Sequence, residues 1–224
     1  MINSQINTIE SWNKQYKSVS SMDRLKKLFN EVDHDKILIT SSFGSTSGVL
    51  LHLLSKVAPD HPVYFVNTGY LFEETLEYME KLKREFGLTN IIEVKPNHKK
   101  HQFTRENQTY KTNTDFCCFI NKVDPIAKLK EGKEVWVSGI FAYQNENRSQ
   151  LRIFEPKDKM LKFHPIIDMT EDEAKLYMDI YEIPQHKLIY QGYGSIGCTH
   201  CTARGDGREG RWLNSEKTEC GLHA

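Results

Sequence analysis

From Met22 onward, apolar side chains recur at Leu25, Leu28, Phe29 and Val32, the three-and-four spacing of one helix face, and the spacing predicts a helix over 22–32 that ends before His34. Residues 36–40 are a short run rich in β-branched side chains and predict a strand. That strand enters a loop of small residues, Ser41-Ser42-Phe43-Gly44-Ser45-Thr46-Ser47, ahead of an apolar helix over 48–57. The pattern then repeats. A strand over 63–67 and a turn at Thr68-Gly69 lead into a helix over 71–86, with Phe72, Leu76, Met79, Leu82 and Phe86 on one face, and a strand follows over 91–94. A helix over 117–130 and a strand over 134–138 extend the series, and Thr170-Glu171-Asp172-Glu173 is a capping box opening a helix that runs to about Ile180, before Pro184.

Strands alternating with helices predict right-handed crossovers and an α/β fold, a parallel sheet with helices on both faces. Ligands of such sheets lie at the carboxyl ends of the strands, where both the 41–47 loop and the Thr68-Gly69 turn fall. Residues 1–20 are polar and unpatterned and read as a frayed or partner-contacting arm. Residues 96–116 are also polar and irregular, and read as a loop able to move or to cover a substrate. The organisation expected is an arm over 1–20, an α/β domain over 21–190 and a C-terminal tail over 191–224.

Charge narrows the function. Thirty basic and thirty acidic side chains cancel, so no global field draws the chain to nucleic acid or an anionic membrane, and any anion site has to be local. No apolar run approaches the roughly 18 residues of a membrane span, and the start lacks a signal-peptide pattern, which predicts a cytoplasmic protein. In that compartment five cysteines point to metal or redox chemistry rather than to disulfides.

The 42–47 loop has the strand, loop, helix arrangement of a phosphate cradle, without the lysine of a magnesium-nucleotide loop. Cys117-Cys118 and Cys198-x-x-Cys201 are two pairs about 80 residues apart, which fits a four-cysteine metal site, zinc or iron–sulfur; directly adjacent cysteines are unusual for zinc. Cys220 stands just before Gly221-Leu222-His223, where a mobile tail could carry a thiolate to two partners in turn. Arg208 and Arg211 offer bidentate donors for phosphate or sulfate, and Lys122 shares a helix face with Cys118.

Together these residues resemble the assimilatory sulfonucleotide reductases, closest to the cluster-bearing adenylyl-sulfate (APS) reductases related to phosphoadenylyl-sulfate (PAPS) reductase. The resemblance rests on Gly192-Tyr-Gly-Ser-Ile-Gly-Cys198-Thr-His-Cys201-Thr, Arg208-Glu-Gly-Arg211-Trp212 and Glu219-Cys220-Gly221-Leu222-His223. Ser42-Phe43-Gly44-Ser45, Asn67-Thr68-Gly69, Lys122-Val123-Asp124-Pro125 and Gly139 with Gln144 and Arg148 add to it. The resemblance implies an adenine nucleotide α-hydrolase-like fold with a mobile C-terminal tail and a [4Fe-4S] cluster on Cys117, Cys118, Cys198 and Cys201. It implies that Cys220 attacks the sulfur of APS, leaving an S-sulfonate and AMP, and that thioredoxin or glutaredoxin then releases sulfite. PAPS is the alternative substrate, and a non-catalytic sulfonucleotide-binding paralogue the alternative role. Substrate contacts are expected at Ser42, Phe43, Gly44, Ser45, Thr68, Gly69, Lys122, Gly139, Arg148, Arg208, Arg211 and His223, with a homo-oligomer as a further expectation. Two departures stand out: Phe141 and Ala142 occupy positions where the family carries arginines, and so does Asn121. Gly205-Asp206-Gly207 is the expected hinge of the tail.

Overall fold

The computed structural model describes residues 2–213, Lys217 and 219–222, with side chains from Ile9 onward. Two helices, α1 (Ile2–Lys17) and α2 (Ser21–Glu31), precede β1 (Ile37–Ser41), α3 (Ser47–Val57), β2 (Val63–Val66), α4 (Glu73–Phe86) and β3 (Ile91–Val94). Short helices α5 (His98–Glu106), α6 (Thr109–Thr112), α7 (Thr114–Cys118) and α8 (Asp124–Ala127) lead to β4 (Val135–Val137). After α9 (Glu146–Ser149) come β5 (Phe154–Lys157), β6 (Met160–Phe163) and α10 (Glu171–Ile180). The strands form one sheet in the order β3-β2-β1-β4-β6-β5, parallel except for the β5–β6 pair. Strand order reverses between β1 and β4, which opens a crevice at their carboxyl ends.

The β5–β6 hairpin carries no clear alternation in the sequence. Pro156 cannot donate to a ladder and is tolerated because β5 is an edge strand, and Asp158 takes the left-handed turn conformation at φ 56°. Residues 1–20, expected to be an arm, are mostly helical instead. α1 covers β5: the Asn13 amide donates to the Phe154 carbonyl at 3.0 Å and its oxygen accepts from the Phe154 amide at 2.9 Å. Tyr16 is buried, edge-on to Phe154 and Phe163. Phe154→Ala is expected to lower unfolding stability by about 3–5 kcal/mol, read by denaturant titration; a loss under about 1 kcal/mol would show that this contact is dispensable.

α2 is tied across the molecule by Arg24, which is buried and donates to the Tyr16 and Pro165 carbonyls and to both oxygens of Asp168. Hydrogen bonds from Arg24 hold the Asp168 carboxyl below its ordinary range. A carboxyl depressed in the folded state adds stability above its unfolded value and loses it as pH falls through the folded value. Asp168→Asn is therefore expected to cost about 1 kcal/mol at neutral pH, screening of the half-exposed carboxylate included, and progressively less below about pH 4. Thermal melts of both proteins across that range check it.

Residues 96–116, expected to be an irregular loop, form α5, α6 and the start of α7. Their inward residues are Thr104 and Thr109, buried but held by hydrogen bonds, Thr104 to the His101 carbonyl and from Asn121 and Thr109 to the Thr104 carbonyl, rather than by an apolar stripe, so hydrophobic periodicity does not reveal them. The helix expected over 117–130 is a helical run starting at Thr114, with a widened π-turn at Phe119–Val123. Such turns recur at functional sites. No helix among the described residues is long and apolar enough to cross a membrane.

Candidate active site

The loops after β1 and β4, one wall of α10 and the C-terminal segment enclose a cavity of about 680 Å³. Ser42, Gly44, Ser45, Thr46 and Ser47 line it from the β1 loop, and Ser138, Gly139 and Gln144 from the β4 side. Gln144 bonds Thr46 at 3.3 Å, tying the two loops together. A side chain at Gly139 would press on Leu50, so glycine lets the end of β4 lie on α3. Phe43 serves the loop from below: its backbone is left-handed at φ 49°, and its buried ring packs edge-on to Phe65. It does not line the cavity.

Thr68 and Gly69 are also absent from this cavity. The Thr68 hydroxyl lies 3.2 Å from the Cys198 sulfur, and Gly69, at φ 75°, leaves room for the His101 ring, which a β-carbon would meet at 2.7 Å. Thr68 belongs to a neighbouring chamber. There Cys117, Cys118, Cys198 and Cys201 converge around a space of about 20 Å³ bounded by Thr68, Tyr70, Tyr110, Asn121 and His200. The His200 ring stacks on Tyr110 at 3.8 Å. Burial raises the thiol of Cys117 and pushes Cys118 up to about 11 and Cys201 to about 12. No group of three His, Cys, Asp or Glu among the described residues is disposed to hold a metal ion. Four thiols from two segments around one chamber, Cys117 and Cys118 buried and Cys198 and Cys201 half-buried, are, however, a donor set that fits a Cys₄ cluster, and the raised thiols of Cys117, Cys118 and Cys201 need a compensating positive charge to ionise.

Among the described residues, Lys122 alone lines both spaces. Burial works against its charge, but the sulfurs of Cys220, Cys198 and Cys118 outweigh burial and raise its pKa. Cys220 responds in the opposite sense. Burial would raise its thiol, but Lys122, the Leu222 amide and Arg211 hold it below the ordinary value. Arg211 donates to the Cys201 carbonyl and to Ser195, and its guanidinium lies over the Trp212 ring at 4.4 Å. Arg148 and Arg208 converge on Glu219. Arg148 donates to its two oxygens at 2.6 and 3.0 Å, and an Arg208 nitrogen stands 3.4 Å away. Burial raises the Glu219 carboxyl, yet the bonds and charge of Arg148 prevail and lower it. The result is a thiol with a depressed pKa at the edge of a cavity lined by Lys122, Arg148, Arg208 and Arg211, which reaches the Ser42–Ser47 loop.

The phosphoadenosine phosphosulfate reductase domain matches residues 36–204. The chain belongs to that family. An adenosine 5'-phosphosulfate reductase of Mesorhizobium japonicum is 35% identical over 215 residues, spanning 93% of this chain and 84% of that protein. One from Shouchella clausii is 34% identical over 223 residues, spanning 96% and 92%. Among solved structures, a Candida auris phosphoadenylyl-sulfate reductase aligns with a TM-score of 0.73 at 22% identity, covering 87% of this chain and 96% of that one. A Candida glabrata FMN adenylyltransferase gives 0.55 at 14% identity, covering 85% and 66%. These structural likenesses establish the fold, an adenine nucleotide α-hydrolase-like sheet.

Within the family, this chain's departures have a local explanation. Phe141 is fully buried beside Tyr143 and Ala142 is half-buried, and neither lines the cavity. Asn121 is turned away from it, donating to Thr104 and to the Cys117 carbonyl and meeting the His101 ring at 2.8 Å. The expected hinge is held rather than free. Gly205 donates to the Gly192 carbonyl and accepts from Gly194, and Trp212 donates to the Cys201 carbonyl, so the chain is tied down through residue 212. His223 lies outside the described residues. Glu219 has no role assigned by the sequence, and its signal there is only its place directly before Cys220, since Asp206, Glu209 and Glu216 share the tail with it. Ser138 was not singled out, and nothing in the sequence marks it.

Proposed function

We propose that the protein reduces APS to sulfite and AMP with a protein dithiol, thioredoxin or glutaredoxin, as donor. The observation that carries this reading is Cys220, a thiol with a depressed pKa set between Lys122 and Arg211 at a cavity that begins at the Ser42–Ser47 loop. The Cys220 thiolate attacks the sulfur of APS, the bond from sulfur to the bridging phosphate oxygen breaks, and AMP leaves with the electron pair. Lys122 and Arg211 offset the charge that gathers around the sulfur. A carrier thiolate then attacks the Cys220 sulfur and displaces sulfite. Its second thiol resolves the mixed disulfide, returning Cys220 as a thiol and leaving the carrier oxidised by two electrons.

Cys117, Cys118, Cys198 and Cys201 are the residues that would hold a [4Fe-4S] cluster, whose contribution is electrostatic and organisational. Charge along the wall favours APS over PAPS. Lys122, Arg148, Arg208 and Arg211 all gather around Glu219 and Cys220, while the lining lysine of α10, Lys175, is exposed and paired with Glu171, near Asp179. Among the described residues a second phosphate would find no unpaired cation on that wall. Sulfite release is expected from APS with thioredoxin present, and more slowly from PAPS; faster release from PAPS would reverse the preference, and none from either would refute the reading. About four irons per chain are expected in anaerobically purified protein; a single zinc would refute the cluster.

A further inference from the structure

Lys162 of β6 has no part in the chemistry above, yet it is placed at a cost. It is 6% exposed, its ammonium lies 4.8 Å from the centre of the Trp136 ring, and it forms no ion pair among the described residues. A buried ammonium needs a partner. Its acceptor is the backbone carbonyl of Leu222, at 2.6 Å. Trp136 is itself fixed by an indole bond to Thr40 at 2.9 Å, and the Leu222 side chain packs on the cluster of Leu38, Ile126, Trp136 and Met160.

On the other side of Cys220, Glu219 is gripped by Arg148 and bonded by the Asn145 amide at 2.7 Å. Between the two grips lie only Cys220 and Gly221. Gly221 passes so close to Val123 that a β-carbon would come within 2.9 Å of a methyl group. A two-residue span held at both ends and pressed against a helical turn leaves the thiol little freedom, and small displacements of a reacting atom are costly.

We propose that Lys162 is a positioning residue for Cys220: with Arg148 it forms a two-point dock that holds the C-terminal segment by the Glu219 carboxylate and the Leu222 carbonyl. The dock rests on the proposed function only in taking Cys220 as the nucleophile. Because Lys162 grips a main-chain carbonyl, no side-chain pattern in the tail announces it.

The test is labelling of the full-length, cluster-loaded protein with a bulky polyethylene-glycol maleimide at about pH 7, below the value of about 8 to which burial lowers Lys162, so that its ammonium keeps its charge. No sulfonucleotide is present, and the modified cysteine is identified by peptide mapping. Lys162→Met keeps the aliphatic stem against Trp136 and removes the donor. It is expected to raise the labelling rate of Cys220 about tenfold, the size of one lost charge-assisted hydrogen bond. Labelling of Cys117, Cys118, Cys198 and Cys201 should stay unchanged. Lys162→Arg, which keeps charge and donor, should label near the wild-type rate. An unchanged Cys220 rate in Lys162→Met, a parallel rise at all five cysteines, or equal rates in the two variants would each overturn the dock. Because the measurement uses no substrate, a failure of APS reduction would leave its outcome untouched, so the two readings fail separately.

Discussion

Cys220→Ser is expected to abolish sulfite release, by at least about a thousandfold, while leaving the fold and the iron content intact. A hydroxyl is a far weaker nucleophile than a thiolate, and the cations that lower the Cys220 thiol cannot bring a serine into the ionised range near neutrality. With labelled APS and no carrier, the wild-type chain should retain one label per chain on the peptide holding Cys220, and the variant none. Label that survives the substitution would place the nucleophile elsewhere.

Lys122→Met should have the next largest effect, a fall in kcat/KM of about 10²–10³. Methionine preserves most of the buried stem, so the loss isolates the ammonium. That ammonium both faces the Cys220 sulfur and lines the cavity, so it acts on the nucleophile and on the charge developing around the transferred sulfonate. A drop below about fivefold, with iron content unchanged, would show that Arg211 alone supplies this stabilisation. Steady-state rates over a range of APS concentrations separate the effect on kcat from that on KM.

The parts of the molecule legible in the sequence are those written in apolar periodicity. The Leu25, Leu28 and Phe29 face of α2, the β1 strand and its loop, and the Thr170–Glu173 cap of α10 all stand where their spacing places them. Elements held by polar contacts were not legible. α5 turns Thr104 inward and leaves Phe103 exposed, the reverse of the usual pattern, and α1 adds the Asn13 bonds to Phe154 to the packing of Ile9, Trp12 and Tyr16 on the core. The site divides in the same way. Cys220, the two cysteine pairs and the arginines announce themselves by residue type, but Thr68 faces the cysteine chamber and Gly69 the His101 ring, and neither lines the larger cavity. Which chamber a loop residue faces depends on how loops from β1, β2 and the tail meet, and that is a tertiary fact. Arg148 illustrates the same limit: its position was expected, while its grip on Glu219, 71 residues away, was not.

The way α1 lies on β5 bears on how the chain is made. Asn13 meets Phe154 across 141 positions, and Arg24 meets Asp168 across 144. During synthesis the first helix therefore emerges long before its platform exists, and contacts of such sequence separation form slowly because the loop must close first. The central strands can assemble while the helix waits in solvent. A segment made well before β5 is thus among the last to reach its native place, and the edge of the sheet stays uncovered until it does.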